Sequence, residues 1–402
     1  MSVSNNYLPP ALNADLITQL ILSLGLPHPV SVEPLKVSAA FHSIYLIQFP
    51  NTAASKIDAR PNTDGTATLV LRVSGRQLPR IKTQNEVGAM TWVRRNTRIP
   101  VPNIIRYDSS ENNIIKHEFT LLEKAPGVSA DQVYHTLSEE ARTKMIHQLV
   151  DYLAELHSLP WKDGYVGGLV LSNDQIVQGP PIEENFWQIP DIDKYWNGPT
   201  EGETLETLNP LALHGYPDYV SFIVASLKCY IHAIETHPSL ETYRDLLPRI
   251  MRFIDILQKP ENAKELNQVA YVMAHKDMHF ANIMCDPEHP DCPITAILDW
   301  EFSGVVPEPR WNPPRAFLWN YQTTPEAKAE QSRMENIFEE TCRKKGFERI
   351  LKETKLSPRQ EDMQIAVNHI RAIVEVCPRG QAKDRVAAWR ATAEKAMRSF
   401  GA

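Results

Sequence analysis

The feature that most constrains this chain is a polar segment followed by two apolar runs. Residues 275–282, HKDMHFAN, lead directly into the apolar residues 283–285, and after a Pro-rich turn a second apolar run, 294–298, leads to Asp299. Two short apolar runs separated by a turn are typical of a β-hairpin. Because Asn282 begins the first strand and Asp299 ends the second, antiparallel pairing brings both side chains to the same end of the hairpin. The sequence therefore predicts an amide and a carboxylate that can bind one divalent cation together.

Phosphoryl transfer is a reaction that these residues suit. It needs a positioned hydroxyl, a carboxylate that accepts its proton and metal ions that neutralise the phosphate oxygens. Asp277 is the candidate for orienting and deprotonating the acceptor. Asn282 and Asp299 are candidate ligands of Mg²⁺, a hard cation that prefers oxygen. The alternative is that all three merely cap turns, as Asp and Asn often do, but their ordered spacing around one hairpin favours a site.

The same stretch resembles a known family. The pattern His-x-Asp-x4-Asn, followed by a strand that leads into Asp299-Trp300-Glu301, is similar to that of the aminoglycoside phosphotransferase and choline kinase family. By this resemblance Asp277 matches the catalytic base, and Asn282 and Asp299 match the metal ligands. His275 matches the histidine that braces the catalytic loop, and Glu301 matches an acidic residue after the metal aspartate. The implied activity is ATP- and Mg²⁺-dependent transfer of the γ-phosphoryl group to a hydroxyl of a small molecule.

Upstream segments extend this resemblance over most of residues 30–320. Arg72 lies in LVLRV, where the family has the strand that bears a phosphate-binding cation, and Glu86 lies where the helical partner of that cation is expected. Glu123 begins a segment that resembles the hinge between the lobes, whose backbone meets the adenine. An ordinary surface ion pair between Arg72 and Glu86 is the alternative interpretation.

Two departures from the family pattern concern the nucleotide. The loop SAAFHS, residues 38–43, contains the nucleotide-binding candidates Ser38 and Ser43 but lacks the glycines that let a backbone approach phosphates closely. Arg72 stands where many members have lysine, and although arginine offers two parallel donors, it is not a geometric equivalent. Both departures favour a rival interpretation, a pseudokinase that keeps the fold as a ligand-binding or scaffold protein without turnover.

Periodicity along the chain predicts an α+β protein. Leucines four apart indicate a leading helix at 12–24, short β-rich runs follow at 32–35, 44–49 and 68–73, and helical spacing returns at 81–97. The turn Ala125-Pro126-Gly127 precedes a mostly helical remainder. With the resemblance, this predicts a protein-kinase-like fold of two lobes. Residues 1–124 form a small antiparallel β lobe with one long helix, and residues 125–402 form a larger, mainly helical lobe that carries the catalytic hairpin 275–301 and the C-terminal helices.

Residues 160–215 are rich in Gly, Pro and acidic residues and are predicted to be an insertion. The stretch from Trp161 to Glu206 holds nine Asp and Glu against two Lys, which equals the whole formal net charge of −7. Its acidic and aromatic side chains suit an amine or ammonium group of the acceptor; the candidates are Asp191, Asp193, Trp187 and Trp196. An equally good alternative is that the acids keep a surface loop solvated while the aromatics pack it onto the lobe.

Composition excludes several other classes of protein. Outside the insertion the charges nearly balance, which argues against nucleic acid as a partner. No apolar run approaches the roughly 18 residues of a membrane span, and the N-terminus has no pattern of a leader peptide. Five scattered cysteines do not form a disulfide framework. We therefore expect a cytoplasmic enzyme that acts on a small molecule, with no membrane or protein partner evident.

Two further alternatives concern the polar segment itself. Asp299 is followed by Trp300-Glu301 rather than Phe-Gly, and no activation segment ending in Ala-Pro-Glu follows, which argues against a protein kinase. His275 and His279 are four apart, as zinc ligands on a helix are, but the metalloprotease pattern needs Glu where this chain has Lys276.

Overall fold

The computed structural model describes residues 8–36, 41–54, 56–75, 77–159, 161, 164–182, 214–308, 324–352, 356–377, 380 and 383–402. Ser38 and the four acidic and aromatic substrate candidates, Asp191, Asp193, Trp187 and Trp196, lie outside the described residues. Their roles therefore stay predictions.

One lobe is built on a five-stranded antiparallel sheet with the order β1-β2-β3-β5-β4. The strands are β1 Ser31–Pro34, β2 His42–Phe49, β3 Ala67–Ser74, β4 Ile104–Asp108 and β5 Phe119–Glu123; the helices are α1 Ala14–Ser23, α2 Asn51–Ala54 and α3 Ile81–Asn96. The buried side of α1, with Ile17 and Leu20, shares an apolar core with alternate residues of β2. The side chain of Asn13 begins α1 by accepting a hydrogen bond from Leu16 N (2.8 Å).

The second lobe is mainly helical. Its helices are α4 Ala130–Val133, α5 Glu139–Ser158, α6 Tyr219–Thr236, α7 Leu247–Leu257, α8 Pro260–Leu266, α9 Pro325–Lys344, α10 Glu348–Lys352, α11 Pro358–Val376 and α12 Lys383–Ser399, with 3-10 turns at Tyr134–Thr136, Pro238–Leu246 and Phe280–Asn282. Ser138 begins α5, since its Oγ accepts a hydrogen bond from Ala141 N (3.1 Å). Within the described part of the chain, no helix is both long enough and apolar enough to cross a membrane.

Short strands complete the helical lobe. They are β6 Val128–Ser129, β7 Gly168–Ser172, β8 Gln175–Gly179, β9 Tyr271–Ala274, β10 Ile283–Cys285, β11 Ile294–Ile297 and β12 Gly304–Pro307. The hairpin predicted from the apolar runs is present as β10 and β11, with β6 on the other side of β10. The arrangement of a sheet lobe and a helical lobe confirms the predicted fold class. The division between residues 124 and 125 stays a prediction, although β5 ends at Glu123 and β6 begins at Val128.

Among the described residues of the segment predicted as an insertion, the β7–β8 hairpin is a structure that the sequence did not indicate. This hairpin packs directly on α3 of the sheet lobe. A Cβ atom added to Gly88 of α3 would lie 2.1 Å from the carbonyl oxygen of Leu169 in β7. Glycine is therefore needed at position 88 for the close approach of helix and strand.

Replacing Gly88 with alanine is expected to lower the free energy of unfolding by about 1–3 kcal/mol, because the new Cβ overlaps a backbone atom that cannot rotate away. The better helix propensity of alanine, roughly 1 kcal/mol, offsets only part of this loss. Urea unfolding followed by circular dichroism measures the change. Thr91→Ala on the same helix is the matched control, and an unchanged or higher stability of Gly88→Ala would show that the two elements are not in contact.

Candidate active site

The end of the β10–β11 hairpin brings Asn282 and Asp299 together. Ile283 pairs with Ile297, and Leu298 N donates to the carbonyl oxygen of Asn282 (2.8 Å). Asp299 follows β11 with a φ of 66°, in the left-handed region that a non-glycine residue adopts only where the surroundings hold it. Such backbone strain is common at functional sites. The sequence prediction that both side chains lie at one end of the hairpin agrees with this geometry.

His275 connects the segment of Asp277 to the segment of Asp299. Its Nε2 lies 2.7 Å from the carbonyl oxygen of Leu298, and its Nδ1 lies 3.3 Å from Asp277 N, which donates to it. Burial lowers the pKa of His275, so the ring is neutral at pH 7, with the proton on Nε2. Because both ring nitrogens are engaged, His275 does not serve as a zinc ligand. In the described ranges, no group of three or more His, Cys, Asp and Glu could hold a metal ion.

Asp277 is oriented by its neighbours and remains open to solvent. Asn282 Nδ2 donates to the carbonyl oxygen of Asp277 (2.9 Å) and lies 3.4 Å from its Oδ2. His279 Nε2 lies 3.6 Å from the same Oδ2. Burial lowers the pKa of His279, but the nearby Asp277 carboxylate outweighs burial and raises it. The Asp277 side chain is 46% exposed, so an acceptor hydroxyl can reach its carboxylate.

Lys276 adopts a φ of 70° between His275 and Asp277. Its Nζ donates to the carbonyl oxygen of Ile182 (2.6 Å). This hydrogen bond connects the segment that contains Asp277 to the residues that follow the β7–β8 hairpin.

Arg72 of β3 joins the two lobes at this site. Its Nη1 lies 2.6 Å from Glu86 Oε1 on α3, and its Nη2 lies 2.7 Å from Asp299 Oδ1. The same Nη2 is 3.4 Å from Glu301 Oε2. The predicted pair of Arg72 and Glu86 is therefore a buried ion pair, not a surface one. The guanidinium contacts all three carboxylates through two separate nitrogens, which a single lysine nitrogen does less well.

Carboxyl groups outnumber cationic side chains around Arg72. Glu86, Asp299 and Glu301 face the two cations Arg72 and Lys82. Burial raises the pKa of Glu86, and it raises the pKa of Glu301 to about 8, against the attraction of Lys82 and Arg72. For Asp299, burial acts in the same direction, but the charge and hydrogen bond of Arg72 outweigh it and lower the pKa. Burial therefore favours protonation of Glu86 and Glu301 and offsets part of the surplus of carboxylates.

Two residues of this cluster, His42 and Lys82, were not predicted from the sequence. His42 Nδ1 lies 3.4 Å from Arg72 Nη2, and its Nε2 lies 3.1 Å from Ser74 Oγ and 3.4 Å from Glu301 Oε2. Lys82 Nζ lies 3.8 Å from the same Glu301 oxygen. The one available signal was the spacing of Lys82 and Glu86, which places them on the same face of a helix.

Two candidates for nucleotide binding, Ser43 and Glu123, have side chains that contact other groups, and the expected contact of the hinge backbone with adenine stays a prediction. Ser43 Oγ donates to the carbonyl oxygen of Pro9 (3.4 Å), while its neighbour His42 contacts Arg72. The Glu123 side chain accepts from the backbone N–H groups of Arg60 (3.0 Å) and Asn103 (3.3 Å). The structure thus groups His42, rather than Ser43, with the charged cluster.

Asn85, next to Glu86, is a third residue that the sequence did not indicate. Its side chain is buried, and its Nδ2 donates to the carbonyl oxygens of Glu301 and Ser303, both at 2.8 Å. Its Oδ1 accepts from Leu169 N (2.7 Å). One amide therefore links α3 to the segment after Asp299 and to β7.

Comparison with solved structures finds similar chains at low sequence identity. The streptomycin–ATP ternary complex of APH(2")-IIa has a TM-score of 0.48 at 13% sequence identity, covering 96% of this chain and 97% of that one. The GDP and kanamycin complex of APH(2")-IIIa has a TM-score of 0.46 at 11% identity, covering 95% and 98%. A ternary complex of a thermostable mutant of aminoglycoside phosphotransferase APH(4)-Ia with ADP and hygromycin B has a TM-score of 0.42 at 14% identity, covering 95% and 97%. No curated protein matches the chain.

The sequence of the chain also matches a protein family, and the match includes the β10–β11 hairpin, Arg72 and Glu86. The matched family is the phosphotransferase enzyme family, and residues 60–307 are matched. Since these residues are more than half of the 402-residue chain, the protein belongs to the phosphotransferase enzyme family.

Proposed function

We propose that this phosphotransferase moves the γ-phosphoryl group of ATP, with Mg²⁺, to a hydroxyl group of a small molecule. The observation that supports this most is the contact of Arg72 with Asp299 across the two lobes (2.7 Å), beside Asn282 and the solvent-accessible carboxylate of Asp277. Phosphoryl transfer requires a cation that binds phosphate, oxygen donors for a metal ion and a general base.

The residues at the end of the hairpin suit Mg²⁺. When bound, Mg²⁺ neutralises the charge of phosphate oxygens, and it takes one or two protein oxygens together with water and phosphate. The Asp299 carboxylate and the Asn282 amide oxygen are donors of this kind. Asn282 Nδ2 already donates to Asp277, so the oxygen of that amide is the atom that remains for a metal.

Each side chain then has a defined task. Asp277 accepts the proton of the acceptor hydroxyl as its oxygen attacks the γ-phosphorus, and ADP leaves. Asn282 and His279 hold the Asp277 carboxylate in place. Arg72 keeps Glu86 on Nη1 and turns Nη2 from Asp299 to the phosphates. His275 keeps the segments of Asp277 and Asp299 in register through its two ring nitrogens.

The acceptor belongs to the hydroxyl-bearing metabolites and antibiotics. The structures compared above contain streptomycin, kanamycin and hygromycin B, and the resemblance to choline kinases adds amino alcohols. A cationic acceptor is consistent with the acidic stretch that contains Asp191 and Asp193, which lie outside the described residues. These compounds form the first panel for a phosphorylation screen with ATP and with GTP.

Asp299→Ala tests the proposed metal and nucleotide site. Saturating Mg²⁺ and ATP are expected to raise the melting temperature of the wild type, because a ligand at 100 times its Kd stabilises the native state by about 2.7 kcal/mol. Asp299→Ala is expected to lose this rise, since the variant removes both the carboxylate ligand and the partner of Arg72. Differential scanning fluorimetry with and without ligands measures the change within each variant.

Asp291→Ala, an exposed change in the turn of the same hairpin, is the matched control and should show the wild-type shift. An equal shift in Asp299→Ala would contradict the assigned metal ligand. No shift of the wild type with ATP or GTP would instead favour the pseudokinase interpretation.

A further inference from the structure

Lys82 stands out among the charged residues of the site because it is buried without a hydrogen-bond acceptor. It is the second residue of α3 and is 1% exposed. Among the residues that the structure describes, its Nζ has no hydrogen-bond partner. Burying an ammonium group without acceptors costs several kcal/mol. A bound anion would supply the missing acceptors.

The nearest carboxylate does not satisfy Lys82. Glu301 Oε2 lies 3.8 Å from Nζ, beyond hydrogen-bond distance. That oxygen already has Arg72 Nη2 and His42 Nε2 at 3.4 Å each. Since Arg72 and Lys82 approach the same oxygen, their cationic nitrogens are neighbours. One polyphosphate chain that reaches Arg72 therefore passes close to Lys82.

A second buried polar side chain lies in the same stretch of chain. Gln77 is 0% exposed, and neither atom of its amide has a partner among the described residues. The carbonyl oxygen of the next residue, Leu78, accepts from Lys82 N (3.2 Å), so this stretch leads directly into the first turn of α3. Buried polar groups without partners are rare in folded proteins. Two such side chains, Gln77 and Lys82, lie within six residues of the chain.

An apolar ring covers the Lys82 ammonium. The centroid of Phe41 lies 5.5 Å from Nζ, and the same ring makes an edge contact with Phe302 of the other lobe, at 5.8 Å between centroids. Phe41 is the last residue before β2, in the loop that lacks glycines. Because a phenyl ring offers no hydrogen bond, a phosphate that displaces it leaves no polar group unpaired. The ring gives only a weak cation–π contact in return.

We propose that Lys82 is a second phosphate-binding residue of this active site, which donates its N–H groups to the triphosphate while Arg72 remains paired with Glu86. The proposal rests on the proposed function and names the part of the nucleotide that Lys82 contacts. It also accounts for the missing glycines, since a side-chain cation on α3 provides the phosphate contact that backbone N–H groups of a glycine-rich loop otherwise make.

The experiment measures the Kd of ATP, ADP and AMP for wild type and Lys82→Met by isothermal titration calorimetry, with Mg²⁺ present. A hydrogen bond to a charged group contributes about 1.5–3 kcal/mol, which is roughly 10- to 150-fold in Kd. We expect ATP binding to weaken by at least about tenfold and AMP binding to stay within about twofold. Lys144→Met, an exposed lysine on α5, is the matched control and should bind like the wild type.

A structural role for Lys82, as the counter-ion of Glu301, gives a different result in a double-mutant cycle. If Lys82 only neutralises Glu301, Lys82→Met will weaken ATP binding in the wild type but not in Glu301→Gln, where the charge is already removed. If Lys82 binds phosphate, the loss persists in Lys82→Met/Glu301→Gln compared with Glu301→Gln alone. The first result overturns the proposal, and the second supports it.

Folding and the proposed function are checked separately. If Lys82→Met does not fold, Lys82→Gln is expected to show the same selective loss of ATP affinity, and wild-type affinity in that variant overturns the proposal. If the wild type binds ATP and both variants bind it equally well, the role of Lys82 fails while the proposed function stands. If the wild type binds no nucleotide, both fail.

Discussion

Replacing Asp277 with asparagine is expected to lower the turnover number of phosphoryl transfer by about 10²–10⁴-fold, the range for loss of a general base. Asparagine keeps the shape of the side chain but cannot accept the proton of the acceptor hydroxyl. The hydrogen bond from Asn282 Nδ2 to the carbonyl oxygen of residue 277 is retained, so the segment should keep its conformation. Steady-state kinetics on the first compound that the wild type phosphorylates measures the effect.

The affinity for ATP separates this role from a structural one. We expect Asp277→Asn to bind Mg²⁺ and ATP as the wild type does, because its loss lies in the chemical step rather than in ground-state binding. Asp291→Asn, in the exposed turn of the same hairpin, is the matched control and should retain full turnover. A turnover number within a factor of about three of the wild type would exclude Asp277 as the base.

The second large effect is expected at Asn85. Asn85→Leu keeps the approximate volume but removes the donors to Glu301 and Ser303 and the acceptor for Leu169 N. Each buried backbone group left without a partner costs about 1–3 kcal/mol. We expect the free energy of unfolding to fall by about 3 kcal/mol or more, measured by urea unfolding.

Nucleotide binding should weaken with this loss of stability, because Asn85 holds the helix that carries Glu86 and Lys82. Asn96→Leu is the same substitution at an exposed position of α3 and should change stability by less than about 0.5 kcal/mol. If Asn85→Leu were as stable as Asn96→Leu, the amide would not link the two lobes.

The sequence predicts the part of the site whose residues lie close together along the chain. Asp277, Asn282 and Asp299 are placed by one hairpin, and strand pairing determines which side chains meet at its end. For these three residues the spacing along the chain was sufficient to place them together. The bracing position of His275 was expected only from the family resemblance, and its contact with Leu298 was found in the structure.

Spacing along the chain does not predict the contacts between the lobes. Asn85 reaches Glu301 across 216 positions, and Arg72 reaches the same residue across 229. Nothing in the local pattern around Asn85 separates a buried bridging amide from an exposed one. Its neighbour Glu86 was found only because the family resemblance supplies a partner for Arg72.

The position of helix α3 was predicted from the sequence, but the burial of its polar residues was not. Helical spacing predicted its position, and it ends at Asn96 within one residue of the expected Thr97. Its polar residues Lys82, Asn85 and Glu86 are nonetheless buried, because the helix lies between the sheet and the other lobe. A pattern of apolar residues identifies one buried face and cannot reveal a second face that is buried by polar contacts.

The sequence by itself determined the α+β class, the β10–β11 hairpin and the order of its polar residues, because short-range periodicity and strand pairing govern these features. The two-lobed, kinase-like arrangement was expected from the family resemblance. Only the tertiary structure decided that Arg72 spans three carboxylates, that His42 and Lys82 converge on Glu301, and that Asn85 links α3 to the helical lobe. These contacts form when distant segments fold together, and their energies depend on burial, which no local pattern of residues specifies.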